Sequence, residues 1–167
     1  GEAVFFRSLR GSGGGVETEL YTVSKDGGLP QKLPMPDSGA GDFSPDGTKM
    51  VYSPLFRDFR SWKRYSGGWA QDLYVFDLAT HDAEKIADSA RSERDPMWIG
   101  ERIYFSSDRD GAGFRIYRKP VDGSAPARPV LGGEQSALAG YPSRTPATVT
   151  PDGKYVVLFA WGPEGGG

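Results

Sequence analysis

The sequence predicts an all-β fold of repeated four-stranded antiparallel units, and three recurrences predict it. One turn returns, as "FSPDGTK" at 43–49 and "VTPDGKY" at 149–155. A β-rich segment returns as "AVFFRS" at 3–8, "KMVYSP" at 49–54, "RIYFSS" at 102–107 and "KYVVLFA" at 154–160. The spacing is about 50 residues, at the long end of the usual repeat periods. A second strand closing on a polar turn returns as "ELYTVSKDGG" at 19–28, "DLYVFDLATH" at 72–81 and "RIYRKPVDGS" at 115–124, with Tyr21, Tyr74 and Tyr117 in register. Four-stranded units at this period are the blades of a β-propeller.

Each unit reads as strands a to d. Strand a lines the channel and leads into the Pro-Asp-Gly turn, where Pro presets φ and Gly accepts a positive value. Strand b follows as the β-rich segment, and strand c carries the tyrosine. Strand d is short and lies at the rim: "PQKLP", "AEKIA" and "ARPVL". The blades span about 1–34 (strands b to d), 39–88, 92–133 and 141–160 (strands a and b). In the third the a–b turn is abbreviated to "MWIGER". The segment 77–93, "DLATHDAEKIADSARSE", passes for a helix on propensity, but the repeat alignment overrides that reading. The expected fold is thus a partial propeller of about three blades, opening and closing in mid-blade.

Composition excludes several function classes. The chain has 167 residues, enough for one domain with a core. A formal net charge of -2 gives no reason to expect nucleic acid or an anionic membrane as partner. No apolar run approaches the length of a spanning helix. No signal pattern opens the chain, so the expected compartment is the cytoplasm, with the periplasm as alternative because a processed secreted chain reads the same. The absence of cysteine removes disulfides, thiolate catalysis and Cys-based metal sites. With 24 Gly and 13 Pro, turns are frequent and long helices are not expected.

The densest chemistry lies between strands b and c of the second blade, in "FRDFRSWKRYSGGWAQD" at 56–72. Together with "ELYTVSKDGGLPQKLP", "FSPDGTKMVYSPL" and "ERDPMWIGERIYFSSDRDG", this run resembles the first, six-bladed propeller of tricorn-type proteases, within the TolB-like, PD40-type repeats. The resemblance covers residues 1–111. From Phe114 onward, "RIYRKPVDGSAPARPVL" and "YPSRTPATVTPDGKYVVLFA" resemble generic PD40 blades of bacterial propellers. The resemblance implies a non-catalytic module that guides peptides for a peptidase core. It carries over no catalytic residue. It also implies a blade count that two copies of this chain would reach by completing composite blades about a two-fold axis, so a homodimer joined through open blade edges is expected.

The residues themselves point the same way. His81, the only histidine, falls in a c–d turn, and a Ser-His-Asp site would have to use it. No GxSxG, HExxH or SxxK pattern is present. "SDRDGAG" at 107–113 echoes the start of a calcium loop but lacks the distal Glu, and its Asp-Gly serves a turn. No metal and no cofactor is therefore expected. In the insertion, Arg57, Arg60, Lys63 and Arg64 suit carboxylates, while Trp62, Tyr65 and Trp69 are apolar bodies with polar tips. Two readings stand: the aromatics, Trp62 first, tuck the loop over its own blade, or these seven residues bind a peptide or partner. A separate peptidase core is a further candidate partner.

Overall fold

Thirteen strands and no helix make up the described residues of the computed structural model, which are 2–11, 18–36, 38–54, 71–86, 89–111, 114–130, 147–150 and 154–158. The first sheet joins β1 (Ala3–Ser8), β2 (Glu19–Ser24) and β3 (Gln31–Lys32) in that order. The second joins β4 (Ala40–Phe43), β5 (Lys49–Ser53), β6 (Tyr74–Asp77) and β7 (Ala83–Lys85). The third runs β8 (Glu93–Ile99), β9 (Arg102–Ser107), β10 (Arg115–Pro120) and β11 (Arg128–Pro129). A two-stranded sheet pairs β12 (Ala147–Val149) with β13 (Val156–Leu158). Every pairing is antiparallel between neighbours along the chain, as the a-to-d reading requires. Residues 77–93, helical on propensity, instead hold a turn after Asp77 and strand β7 before β8 begins.

The Pro-Asp-Gly turn works through its aspartate. One carboxylate oxygen of Asp46 accepts from the Ser44 hydroxyl at 2.6 Å, the Thr48 amide at 3.0 Å and the Thr48 hydroxyl at 2.9 Å. These bonds hold its pKa down at about 2, the Ser44 contact contributing most. Gly47 takes φ 71, a value that a side chain would strain. The c–d turn is built the same way: the Asp77 carboxylate accepts the amides of Ala79 and Thr80, and His81 follows at φ 64, stacked 6.0 Å from the Phe76 ring. His81 is thus a turn residue, as its place in the repeat predicted.

The core lies between sheets. Leu20, Met35, Met50, Tyr52 and Phe76 form one buried cluster, joined by Phe5 and Phe43, between the first and second sheets. Val51, Leu73, Ile103, Phe105 and Tyr117 form the next, between the second and third. Alternation explains this. Met50 and Tyr52 on β5 face one neighbour, while Val51 between them faces the other. Such sheets are apolar on both faces, and each fully buried side chain of this size contributes roughly 1.5–3 kcal/mol. Close approach is also needed: a Cβ on Gly41 of β4 would lie 2.9 Å from the Val51 carbonyl oxygen.

One feature of β8 was not predicted. Its register with β9 shifts between Arg94 and Met97, so Asp95 and Pro96 together face Phe105. Asp95 takes φ 53 in this bulge and is held by the Ser106 hydroxyl at 2.7 Å. The bulge lets one strand run from Glu93 to the two-residue turn at Gly100 and Glu101, where a longer Pro-Asp-Gly turn stands in the second blade.

Candidate functional site at the channel mouth

The b–c connections leave the sheets at the ends opposite the Pro-Asp-Gly turns, close to where the innermost strands begin. Hydrogen bonds fix this. The Gly39 amide donates to the Ser53 carbonyl at 2.7 Å, and the Glu93 amide donates to the Gln71 carbonyl at 2.6 Å. Ser53 and Gln71 flank the insertion, so its two stems are tied to the starts of β4 and β8, the inner strands of adjacent sheets. Leu73, just past the second stem, is buried against Ile103 and Phe105. Asp72 beside it pairs with Lys85 at 2.7 Å. The predicted site residues Arg57, Arg60, Trp62, Lys63, Arg64, Tyr65 and Trp69 all lie outside the described residues.

The described part of this face repeats one device in two sheets. In the first sheet Phe6 and Tyr21, cross-strand partners, stack with ring centres 5.9 Å apart. The Arg10 guanidinium lies over both, 5.4 Å and 5.2 Å from their centres. In the third sheet Phe105 and Tyr117 stack at 6.1 Å, and Arg109 lies 5.4 Å and 4.8 Å from them. Each arginine amide donates at 3.2 Å to the hydroxyl of the serine two residues earlier, Ser8 or Ser107. Each tyrosine hydroxyl donates to a carboxylate, Tyr21 to Glu19 at 2.8 Å and Tyr117 to Asp110. The phenols respond: the Glu19 hydrogen bond chiefly raises the Tyr21 pKa, whereas burial first and Asp110 second push Tyr117 up to about 12. The recurring "SLR" and "SDR" after strand b were the legible signal for these arginines.

Carboxylates complete the electrostatics. Glu93, 1% exposed, pairs with Arg109. Glu19 pairs with Lys32, as Asp72 does with Lys85 one blade later, so an acid at the start of strand c meets a lysine on strand d in both. The candidate calcium segment is used otherwise. Asp108 accepts the Ser92 amide at 3.1 Å, and Asp110 accepts from Tyr117 and lies 3.7 Å from Arg115. On β4, Asp42 accepts the Trp98 amide at 2.8 Å across the seam between second and third sheets, and burial raises its pKa. Among the described residues no cluster of His, Cys, Asp or Glu could hold a metal ion.

A family model for the tricorn protease N-terminal beta propeller domain matches residues 1–131. The chain belongs to that family. Tricorn protease homolog 1 of Streptomyces coelicolor is 31% identical over 138 residues, which is 82% of this chain and 12% of the homologue. The tricorn protease homolog of Saccharolobus solfataricus is 31% identical over 99 residues, 58% of this chain and 9% of that protein. The chain thus spans about a tenth of the length of these curated relatives. TolB from Acinetobacter baumannii superposes with a TM-score of 0.65 at 21% identity, over 94% of this chain and 34% of its own. That likeness shows the shared propeller fold. As a tricorn N-terminal propeller, the chain represents a region distinct from a catalytic core.

Proposed function

We propose that this chain is a non-catalytic peptide-binding module, in which the basic and aromatic insertion at 55–70 captures peptides over the channel mouth. The observation that carries this is the anchoring of both insertion stems, Ser53 to Gly39 just before β4 and Gln71 to Glu93 at the start of β8. The stems Ser53 and Gln71 therefore set where the insertion departs from its blade. Its composition suits a peptide. Arg57, Arg60, Lys63 and Arg64 offer donors for carboxylates, and Trp62, Tyr65 and Trp69 offer flat apolar area at low entropic cost. Membership of the tricorn propeller family supports a role beside a peptidase rather than as one. The residues present support no hydrolysis, since a His81-based triad would have to be assembled at a c–d turn, where His81 is stacked on Phe76.

Fluorescence anisotropy tests the proposal, with labelled short peptides from a tryptic casein digest as probe. The double variant Arg60→Ala, Arg64→Ala should weaken binding by about tenfold or more while leaving the melting curve unchanged. Unchanged affinity in that variant would overturn the assignment of the insertion.

A further inference from the structure

Asp-Gly pairs close four turns among the described residues: Asp26-Gly27, Asp46-Gly47, Asp110-Gly111 and Asp122-Gly123. All four glycines take a positive φ, and each glycine amide donates back across its turn, to the carbonyl of Ser24, Ser44, Asp108 or Pro120. The carboxylates differ. Asp46 is held by Ser44 and Thr48, Asp122 by the Ser124 amide at 2.9 Å, and Asp110 by the Tyr117 hydroxyl. Among the described residues Asp26 meets the Lys25 ammonium alone, at 3.1 Å, and its side chain is 77% exposed. A pair of exposed groups restrains little. The exposure belongs to the turn itself. Ala79 and Asp122 occupy the same place after the in-register tyrosines, and both are exposed in sheets that have an inner strand. The residue before each makes the same bond, Lys25 to Glu2, Leu78 to Thr48 and Val121 to Glu101.

We propose that Asp26-Gly27 is a modification site, where the folded chain forms isoaspartate spontaneously and faster than at the other three turns. The Gly27 amide nitrogen attacks Cγ of the protonated Asp26 side chain. A C–N bond forms, and the carboxyl hydroxyl leaves with the amide proton as water, so the product is a cyclic imide. Water then opens the ring at either carbonyl. One opening restores aspartate; the other routes the backbone through the side-chain carbon and frees the α-carboxylate. One water is lost and one gained, so the mass is unchanged and no oxidant, reductant or cofactor is used. The carboxyl carbon has to swing onto the next residue's nitrogen. At Asp46 that swing breaks the bonds to Ser44 and Thr48, and at Asp122 the bond to the Ser124 amide. At Asp26 it breaks one exposed ion pair. The Gly27 amide bond to Ser24 has a counterpart in every one of these turns, so it slows all four and selects none. The product also fits: a Cβ built on Gly27 or Gly28 meets no atom within 4 Å, which leaves room for the longer backbone. This inference is independent of the peptide-binding reading.

The test holds the intact chain at neutral pH and physiological temperature and follows isoaspartate at each turn by tandem mass spectrometry, whose backbone fragments separate the two linkages. Asp26 should accumulate it about tenfold faster than Asp46, Asp110 or Asp122, the scale set by one hydrogen bond to a charged group. In urea the four rates should converge, because each aspartate is followed by the same residue. Ser44→Ala removes the contact that contributes most to holding Asp46, and should speed Asp46 while leaving Asp26 unchanged. Equal rates at the four turns of the folded chain, no isoaspartate at Asp26, or a preference for Asp26 that persists in urea would overturn the proposal. No gain at Asp46 in Ser44→Ala would overturn the restraint on which it rests.

Discussion

Arg109 lies 4.8 Å above the ring of Tyr117 while its terminal nitrogen pairs with the buried Glu93. One side chain thereby ties the inner strand, the b–c turn and strand c of a blade together. The stacking half of this arrangement, without the inner-strand glutamate, repeats at Arg10 and Tyr21 in the first sheet.

Breaking that tie should be costly. Arg109→Ala takes the guanidinium away from the buried Glu93 carboxylate, and a loss of up to about 3–5 kcal/mol is expected by urea denaturation. The double variant Glu93→Leu, Arg109→Leu removes both charges and should lose clearly less than the sum of the single Ala variants. Additive losses would show that the two side chains are not coupled.

Asp42 offers a test of opposite sign. Burial raises its pKa, so its charged form works against the fold. The stability linked to this group is fully present below its unfolded value and is lost as pH rises through the folded one. Asp42→Asn keeps an oxygen to accept the Trp98 amide and sheds the charge, so its stability should match or exceed the parent at neutral pH. Asp42→Ala leaves that amide unpaired and should cost about 1–3 kcal/mol. Thermal melts of both variants at neutral pH decide it.

The turn aspartates predict the acid limb of stability. Asp46 titrates at about 2, and hydrogen bonds also lower Asp77 and Asp122, the Thr80 amide leading for Asp77 and Ser124 for Asp122. Lowered values mean stabilisation that is present above the ordinary aspartate range and is lost as pH falls through the folded values. The melting temperature should therefore fall steadily below about pH 4, the ordinary aspartate range, and Asp46→Ala should flatten part of that fall. A parent and a variant with parallel acid limbs would contradict this.

The blades were legible because their signals are local. Asp-Gly turns, alternating apolar residues and a tyrosine in register all act within a hairpin, and the structure places Tyr21, Tyr74 and Tyr117 opposite Phe6, Tyr52 and Phe105 on the neighbouring strands. The couplings between sheets join residues far apart in sequence. Trp98 meets Asp42 across 56 positions, a contact that no single-strand pattern encodes. The bulge at Asp95 was hidden because a proline inside an apolar strand reads equally as a strand end. Arg10 and Arg109 carry a short local signal, a serine two residues before each, that is weak beside the density of the insertion.

Native mass spectrometry of the purified chain with a mixture of short peptides reads peptide binding and peptide cleavage at once. Complexes containing intact peptides are expected, diminished in the Arg60→Ala, Arg64→Ala variant, with no new fragments in solution. Absence of any complex, or fragments that vanish in His81→Ala, would contradict this.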